Sequence, residues 1–474
     1  MKHYFICCSL VIGMCMSLKT TAQSKEDIER KRLIEASQGA ASPLYFDPAS
    51  QEVSLVIPGS FHNAAEYTIR GGLPHFFKKV NAGKPLTIGF IGGSITQGKF
   101  CYRLQTAKYI RSLYPSVAMK AINAGVSGTG TDLGACRLQD QLLQYHPDLV
   151  FVEFAANGAY TDGMEGIIRQ IRKYDPAIDI CLIYTIYNGQ TKIYAGGGIP
   201  ENIKGLEKVA AYYNLPSIHL GMEASMLEKE GKLLWKGDST EAAGSILFST
   251  DGAHPLQAGG NLYAAAIARA MNGMKQVSGV VTPTIPAPLI ADNWEDAGMY
   301  PPQEVATFSS GWNAVTTKGS PQQQFTGWFP YIMKATQPGA YFTCRFKGTM
   351  FGFFDIGGPE AGQLEVLVDG APVKLAERGI TGTRQLEVLD TTAASGSRLI
   401  NRFNSYCNNR YRGQYEFITL PPGVHTVTIR VSAEKADKRK ILGEKQLEDI
   451  SGHPAKYDQT VVYIGKILLR GVPY

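Results

Sequence analysis

Five residues of this chain have the types and the spacing to carry nucleophilic chemistry. Ser94 stands in residues 86–98, LTIGFIGGSITQG, where an apolar run (Leu86, Ile88, Phe90, Ile91) is closed by Gly92 and Gly93. Behind it Phe100, Leu104, Ala107, Ile110 and Leu113 recur at helical spacing. A strand, a glycine turn, a serine and a helix present a hydroxyl at the carboxyl edge of a sheet, where a helix N-terminus favours developing negative charge. Gly-Gly-Ser is also an ordinary helix N-cap, so the weight falls on three later stretches. These are INAGVSGTG (122–130), VFVEFAANGAY (150–160) and STDGAHPL (249–256). A serine hydroxyl is a weak nucleophile until a base takes its proton, and His254 is the candidate base. The base needs an acceptor for its second nitrogen, and Asp251, three residues earlier in the same loop, can supply one. Attack on a carbonyl creates an oxyanion. The backbone N–H groups of Ser94 and Gly128 and the side-chain amide of Asn157 are its candidate donors. Taken singly, Asn157 also reads as a turn residue, Gly128 as a turn glycine and Asp251 as a cap for the following helix.

Positioning these residues requires a scaffold, and residues 86–271 alternate between two periodicities. Strands are expected at 86–92, 118–124, 148–155, 179–186 and 217–220, and helices at 99–113, 133–145, 163–174, 201–213 and 256–271. LVFVEFA and ICLIYTI read as apolar throughout, as strands covered on both faces must be. The alternation implies a parallel sheet wrapped by helices, with its active edge at the strand C-termini, where all four stretches fall. Residues 45–57 alternate enough for a strand or two. Residues 222–248 interrupt the rhythm just before the histidine, as a rim or lid or as a surface insertion.

Pro283, Pro286 and Pro288 mark a stiff linker. Beyond it, short aromatic-rich runs such as TMFGFFDI, QLEVLVDG and VHTVTIRV are separated by Gly, Pro and Asp turns. This is the texture of an all-β sandwich, jelly-roll-like in its spacing. Trp312, Trp328, Phe329 and Tyr331 could form a sugar platform, but packing is the commoner use of such aromatics. NNRYRGQYEF (408–417) is polar enough for a substrate-facing loop. The organisation expected is a signal peptide (1–22), an N-terminal extension (23–85), an α/β domain (86–280), a Pro-rich linker (281–290) and a β-sandwich domain (291–474).

The first residues, MKHYFICCSLVIGMCMSLKTTAQS, have the basic start, short apolar centre and small-residue end of a secretory leader. A lipoprotein anchor at Cys15 is disfavoured because Met14 before it is not small. The expected location is therefore secreted or periplasmic, with no membrane span. The formal charge is +6 and falls to about +4 without Lys2 and Lys19, with no basic block suited to nucleic acid. Beyond the leader, Cys101, Cys136, Cys181, Cys344 and Cys407 lack metal-ligand spacing. Free buried thiols are the simple reading, and one disulfide is the alternative. No metal and no cofactor are expected.

GGSIT, NAGVSGTG, FAANG and DGAHP, in that order, resemble the four blocks of the SGNH (GDSL-type) hydrolases. The resemblance covers about residues 65–275. It places the family's serine, glycine, asparagine and histidine on Ser94, Gly128, Asn157 and His254, and its aspartate on Asp251. It implies a flavodoxin-like three-layer α/β/α fold and ester hydrolysis without a cofactor. The lead-in RGGLPHFFKKVNAGKPL is similar to secreted bacterial members that accompany polysaccharide breakdown. This implies an esterase removing small acyl groups, acetyl first, from a polysaccharide or oligosaccharide. The alternatives are a carbohydrate-binding protein with an idle hydrolase domain, and a lipase or thioesterase. The chain departs from the pattern twice. Gly93 stands where an Asp usually precedes the serine, and Asn157-Gly158 replaces an Asn-Asp pair, keeping the amide but losing a carboxylate that braces the loop.

Overall fold

The computed structural model describes residues 44–474 apart from 240, 243, 278, 280–283 and 379–384. The expected leader, Cys15, the extension up to residue 43 and Pro283 of the linker lie outside the described residues.

Seven strands form the first sheet: β1 (Tyr45–Phe46), β2 (Tyr67–Thr68), β3 (Leu86–Gly92), β4 (Met119–Gly125), β5 (Leu149–Glu153), β6 (Asp179–Tyr184) and β7 (Ser217–His219). Their spatial order is β1-β4-β3-β5-β6-β7-β2. The inner five run parallel, while β1 and β2 close the two edges antiparallel. Counted along the chain, the parallel strands lie in the order 2-1-3-4-5, the doubly wound flavodoxin-like arrangement. Its topological switch point lies between β3 and β5, so the crevice beyond Gly92 and Glu153 is where this fold offers a site. Ile88, Phe90, Phe151, Val152, Leu182 and Ile183 are fully buried, which is why these strands read as continuous apolar runs.

Three sequence expectations need correction. The run 99–113 is helical only over Arg103–Leu113, and a separate short turn of helix, Ser94–Gln97, ended by Gly98, precedes it. The segment 45–57 contributes only β1. The strand β5 is not apolar throughout, because it ends in the buried carboxylate of Glu153.

Residues 297–473 build a second, largely antiparallel sheet around three long strands, Tyr341–Gly357, Arg412–Val431 and Val462–Pro473. Residues 341–347 alternate between buried and less buried positions, whereas residues 350–357 are buried on both faces. One face carries Phe342, Phe346, Phe351 and Phe353 into a core with Ile418, Ile429 and Ile464. The other sends Met350, Phe354 and Ile356, together with Phe417 and Leu468, into the hydrophobic core of the first unit. Trp312 and Phe329 are buried in these cores, with Trp328 and Tyr331 packed against them, so this aromatic group serves packing.

The junction is tightly tied. Residues 286–296 lie along the helix Thr161–Tyr174, whose Glu165 accepts the N–H groups of Leu289 (2.6 Å) and Ile290 (2.7 Å). Arg169 of the same helix binds Glu295 at 2.7 Å and the carbonyl of Pro286 at 2.7 Å. Trp294, 1% exposed, donates its indole N–H to Asp162 at 2.9 Å and meets Phe417 edge to face. Among the described residues no helix is long and apolar enough to cross a membrane.

Candidate functional site

Ser94 sits at the first position of the short helix, directly after Gly93, the extended residue that follows β3. Its Oγ lies 2.7 Å from Nε2 of His254, and Nδ1 of His254 lies 2.6 Å from Oδ2 of Asp251. The three side chains thus form one hydrogen-bonded line, although 160 residues separate the serine from the histidine. The site is open, with 44% of the His254 side chain and 52% of the Asp251 side chain exposed.

The loop that carries Asp251 and His254 is locked locally. Oδ1 of Asp251 accepts the N–H groups of Ala253 (2.8 Å) and His254 (2.9 Å) and the hydroxyl of Ser249 (2.8 Å). Burial alone would favour the neutral acid. The bonds from the His254 and Ala253 backbone, the His254 ring and Ser249 outweigh it and hold the Asp251 carboxyl well below the usual range. Asp251 is therefore an anion committed to its histidine. It does not cap the following helix Gln257–Met274, whose N-cap position is Leu256.

Residues 222–248, expected as a rim, lid or insertion, support this loop from beneath. Strands Leu233–Lys236 and Ile246–Ser249 pair in parallel, and the rings of Trp235 and Phe248 stack at 3.8 Å, both fully buried. The Trp235 indole N–H reaches the carbonyl of Gly252 at 3.0 Å, and the Asn188 N–H meets the same oxygen at 2.7 Å.

Gly128 and Asn157 arrive on the loops after β4 and β5. Gly128 has a left-handed backbone (φ 73°) and is exposed. Asn157 is also exposed and stands beside Gly93, its Nδ2 4.0 Å from where a Cβ on Gly93 would lie. The two loops are stitched backbone to backbone. The Thr131 N–H donates to the Gly158 carbonyl at 3.0 Å, and the Thr131 hydroxyl to that of Tyr160 at 2.7 Å. Gly158 has φ 54°, and a Cβ there would collide with the Cα of Gly130. Only glycine fits at this position. The Asn157 loop is braced from one side by Asn202, which donates to the Ala155 carbonyl and is itself held by Gln190 at 2.7 Å.

Sequence reading missed the residues beneath the serine. The carboxylate of Glu153 accepts hydroxyls from Thr96 (2.9 Å) and Thr185 and backbone N–H groups from Gly93 and Thr96. Desolvation raises its pKa, and these four donors oppose that rise. Arg137, fully buried, donates to the carbonyls at the ends of β3 (Gly92, 2.8 Å) and β4 (Ala124). A signal for Glu153 was present in the sequence, as a single charge inside an apolar strand.

Among the described residues no cluster of His, Cys, Asp or Glu could hold a metal ion. Cys101, Cys136, Cys181, Cys344 and Cys407 are all free and buried. A cleft of about 660 Å³ between the two units is lined by Tyr160, Trp294, Arg378, Thr419 and Arg470. It begins two residues beyond Asn157 and contains no member of the Ser94–His254–Asp251 line.

The chain matches no protein-family model and no curated protein sequence. Among solved structures it is similar to a two-domain esterase active on acetylated mannans, co-crystallised with mannopentaose. That likeness has a TM-score of 0.60 at 21% identity and covers 86% of this chain and 97% of the other. A second structure of a two-domain esterase active on acetylated mannans gives the same TM-score and covers 85% of this chain. An acetyl xylan esterase from Geobacillus stearothermophilus covers 40% of this chain at 21% identity and a TM-score of 0.31. The two-domain likeness establishes a shared fold that spans both units.

Proposed function

We propose that this chain is a secreted serine esterase that removes acetyl or similarly small acyl groups from a polysaccharide or oligosaccharide. The observation that carries the proposal is the unbroken line Ser94–His254–Asp251, with contacts of 2.7 and 2.6 Å. His254 takes the Oγ proton as Ser94 attacks the ester carbonyl carbon, forming the serine–carbon bond. Asp251 holds the ring and stabilises the imidazolium. The oxyanion meets the N–H groups of Ser94 and Gly128 and the Asn157 amide. His254 then returns its proton to the departing sugar oxygen, leaving an acyl-enzyme. Water, activated by the same histidine, attacks that acyl group, and acid and free Ser94 are regenerated.

The small-acyl preference rests on what surrounds the serine. Its flanking segments, Thr96-Gln97-Gly98, residues 127–131 and Gly158-Ala159, are small or polar. The only large apolar rings of the 222–248 segment, Trp235 and Phe248, are packed beneath the loop rather than facing a chain. An octanoyl tail left in water forgoes about 0.8 kcal/mol for each methylene not buried. The open line of side chains suits a polymer, and the likeness to an esterase active on acetylated mannans supports the polysaccharide. On this reading residues 291–474 are an accessory sandwich domain of the SGNH-type enzyme. Hydrolysis of p-nitrophenyl acetate and octanoate tests the proposal. The acetate should be favoured in kcat/KM by about tenfold or more. Octanoate preference would make the enzyme a lipase, and no turnover of either would refute the assignment.

A further inference from the structure

We propose that Arg410 and Arg412, carried by the second unit, form a subsite for a carboxylate on the sugar chain. The substrate would then be an acylated polysaccharide that contains uronic acid residues. This rests on the esterase reading and narrows its substrate class.

Arg412 opens the long strand Arg412–Val431, and its guanidinium reaches across to the first unit. One of its terminal nitrogens lies 3.5 Å from the position a Cβ would occupy on Gly128, the glycine proposed above as an oxyanion donor. Arg410 stands two residues earlier, and both guanidinium groups lie against the ring of Tyr406, at 5.7 and 4.9 Å. Tyr406 is 61% exposed, so the cluster faces solvent at the edge of the site.

The charges are uncompensated. Among the described residues neither Arg410 nor Arg412 has an ion pair, whereas Arg402 on the same loop is paired with both Asp355 (2.6 Å) and Glu416 (3.0 Å). Burial first, and the Arg412 charge second, lower the pKa of Arg410, as expected for two adjacent cations without an anion. Arg410 is also held in place. The Arg410 Nε–H is bonded to the Tyr406 carbonyl at 2.6 Å, and Asn404 caps the Tyr406 N–H at 3.0 Å. Asn404 in turn donates to Gln414 at 2.9 Å, and Gln414 donates to Asp355 at 3.1 Å. Two adjacent, partly buried guanidinium groups, one of them tethered, are suited to bind a carboxylate through paired N–H donors. An acetyl group offers no negative charge, so the anion is assigned to the sugar.

The test uses the full-length protein. Wild-type turnover of p-nitrophenyl acetate reports on the esterase reading alone. The subsite is read by calorimetry with two probes, trigalacturonate and neutral mannotriose, and by the ratio of kcat/KM for acetylated oligogalacturonate to that for acetylated manno-oligosaccharide. Trigalacturonate should bind roughly tenfold more tightly than mannotriose, and added salt should erase the difference. Arg412→Gln should lower the kcat/KM ratio roughly tenfold through KM, and Arg412→Lys should retain part of it. A ratio that Arg412→Gln leaves unchanged, or equal binding of the two probes, would overturn the proposal. Because the binding arm needs no turnover, it stands or falls separately from the esterase reading.

Discussion

Gly158→Ala is the sharpest test of how the site is held. At φ 54° an L-residue pays about 1–2 kcal/mol for the left-handed conformation. The added methyl would also overlap the Cα of Gly130 and come within 3.0 Å of the Tyr160 ring. The Tyr160 ring could yield, but Gly130 is backbone, so one of the two loops must shift. Overpacking of this kind typically costs a further 1–3 kcal/mol, giving about 2–5 kcal/mol if the loops stay in place. If instead they separate, the proposed oxyanion donors Asn157 and Gly128 are moved out of position. Losing one oxyanion donor costs roughly 3–4 kcal/mol, or about a hundred- to a thousandfold in kcat. Either way the strain has nowhere harmless to go. The assay is kcat for p-nitrophenyl acetate alongside the thermal midpoint. Gly158→Asp should fare no better, because its Cβ meets the same atoms. Both variants having wild-type kcat and wild-type midpoint would refute the argument that these loops are in contact.

Asp251→Asn should leave the fold intact and lower kcat by about ten-thousandfold, since the amide cannot hold the imidazolium as the anion does; a loss below tenfold would exclude the role. Asn157→Ala should lower kcat by about a hundred- to a thousandfold with little change in KM, and normal kcat would remove it from the oxyanion site. Trp235→Ala should destabilise the protein by about 3–5 kcal/mol in urea titrations, because it empties the core beneath the Gly252 loop. His219, bonded to Tyr194 at 2.7 Å, has its pKa lowered to about 4 by burial first, with Glu207 opposing and Arg70 adding to the fall. The unfolded chain takes up that proton near pH 6.5, so stability should fall as pH drops from about 6.5 to about 4, by roughly 3 kcal/mol. His219→Gln should flatten that part of the urea-denaturation profile, and an identical profile would rule out this histidine as the source.

The alternation of strands and helices was legible in residues 86–271 because burial on both sheet faces leaves unbroken apolar runs, and helix faces leave a 3.6-residue period. Ser94, Asp251 and His254 could be picked out because each sits at an abrupt change of pattern. Other features left weaker traces. The late start of the helix at Arg103 was hidden because Phe100 and Leu104 keep helical spacing across residues 100–103. Glu153 was passed over because one charge scarcely changes the texture of VFVEFAA. Its four donors come from Gly93 and Thr96 after β3 and from Thr185 after β6, which only tertiary structure brings to it. The Asn202–Gln190 brace likewise lies more than thirty residues beyond the loop that it holds.

The second unit was the least legible part of the site, because nothing local to 408–417 says which wall it faces. Its placement follows from contacts made far along the chain. Tyr415 donates to Asp132 at 3.3 Å, two residues beyond Gly130. Lys466 meets Asp140 on the same helix at 3.2 Å, and Arg470 binds Asp296 at 2.9 Å while lying over the Trp294 ring. The helix Thr131–Gln141 therefore has the loop after β4 at one end and the second sheet along its side. Tyr415 is three residues from Arg412, so the bond that docks the strand also sets how near the guanidinium comes to Gly128. Anything that loosens this junction should disturb that approach before it disturbs Ser94 or His254, whose bonds lie within the first unit. On this geometry the two units divide the labour. On the proposed reading, the first would carry the bond-breaking groups and the second would set which sugar chain lies across them.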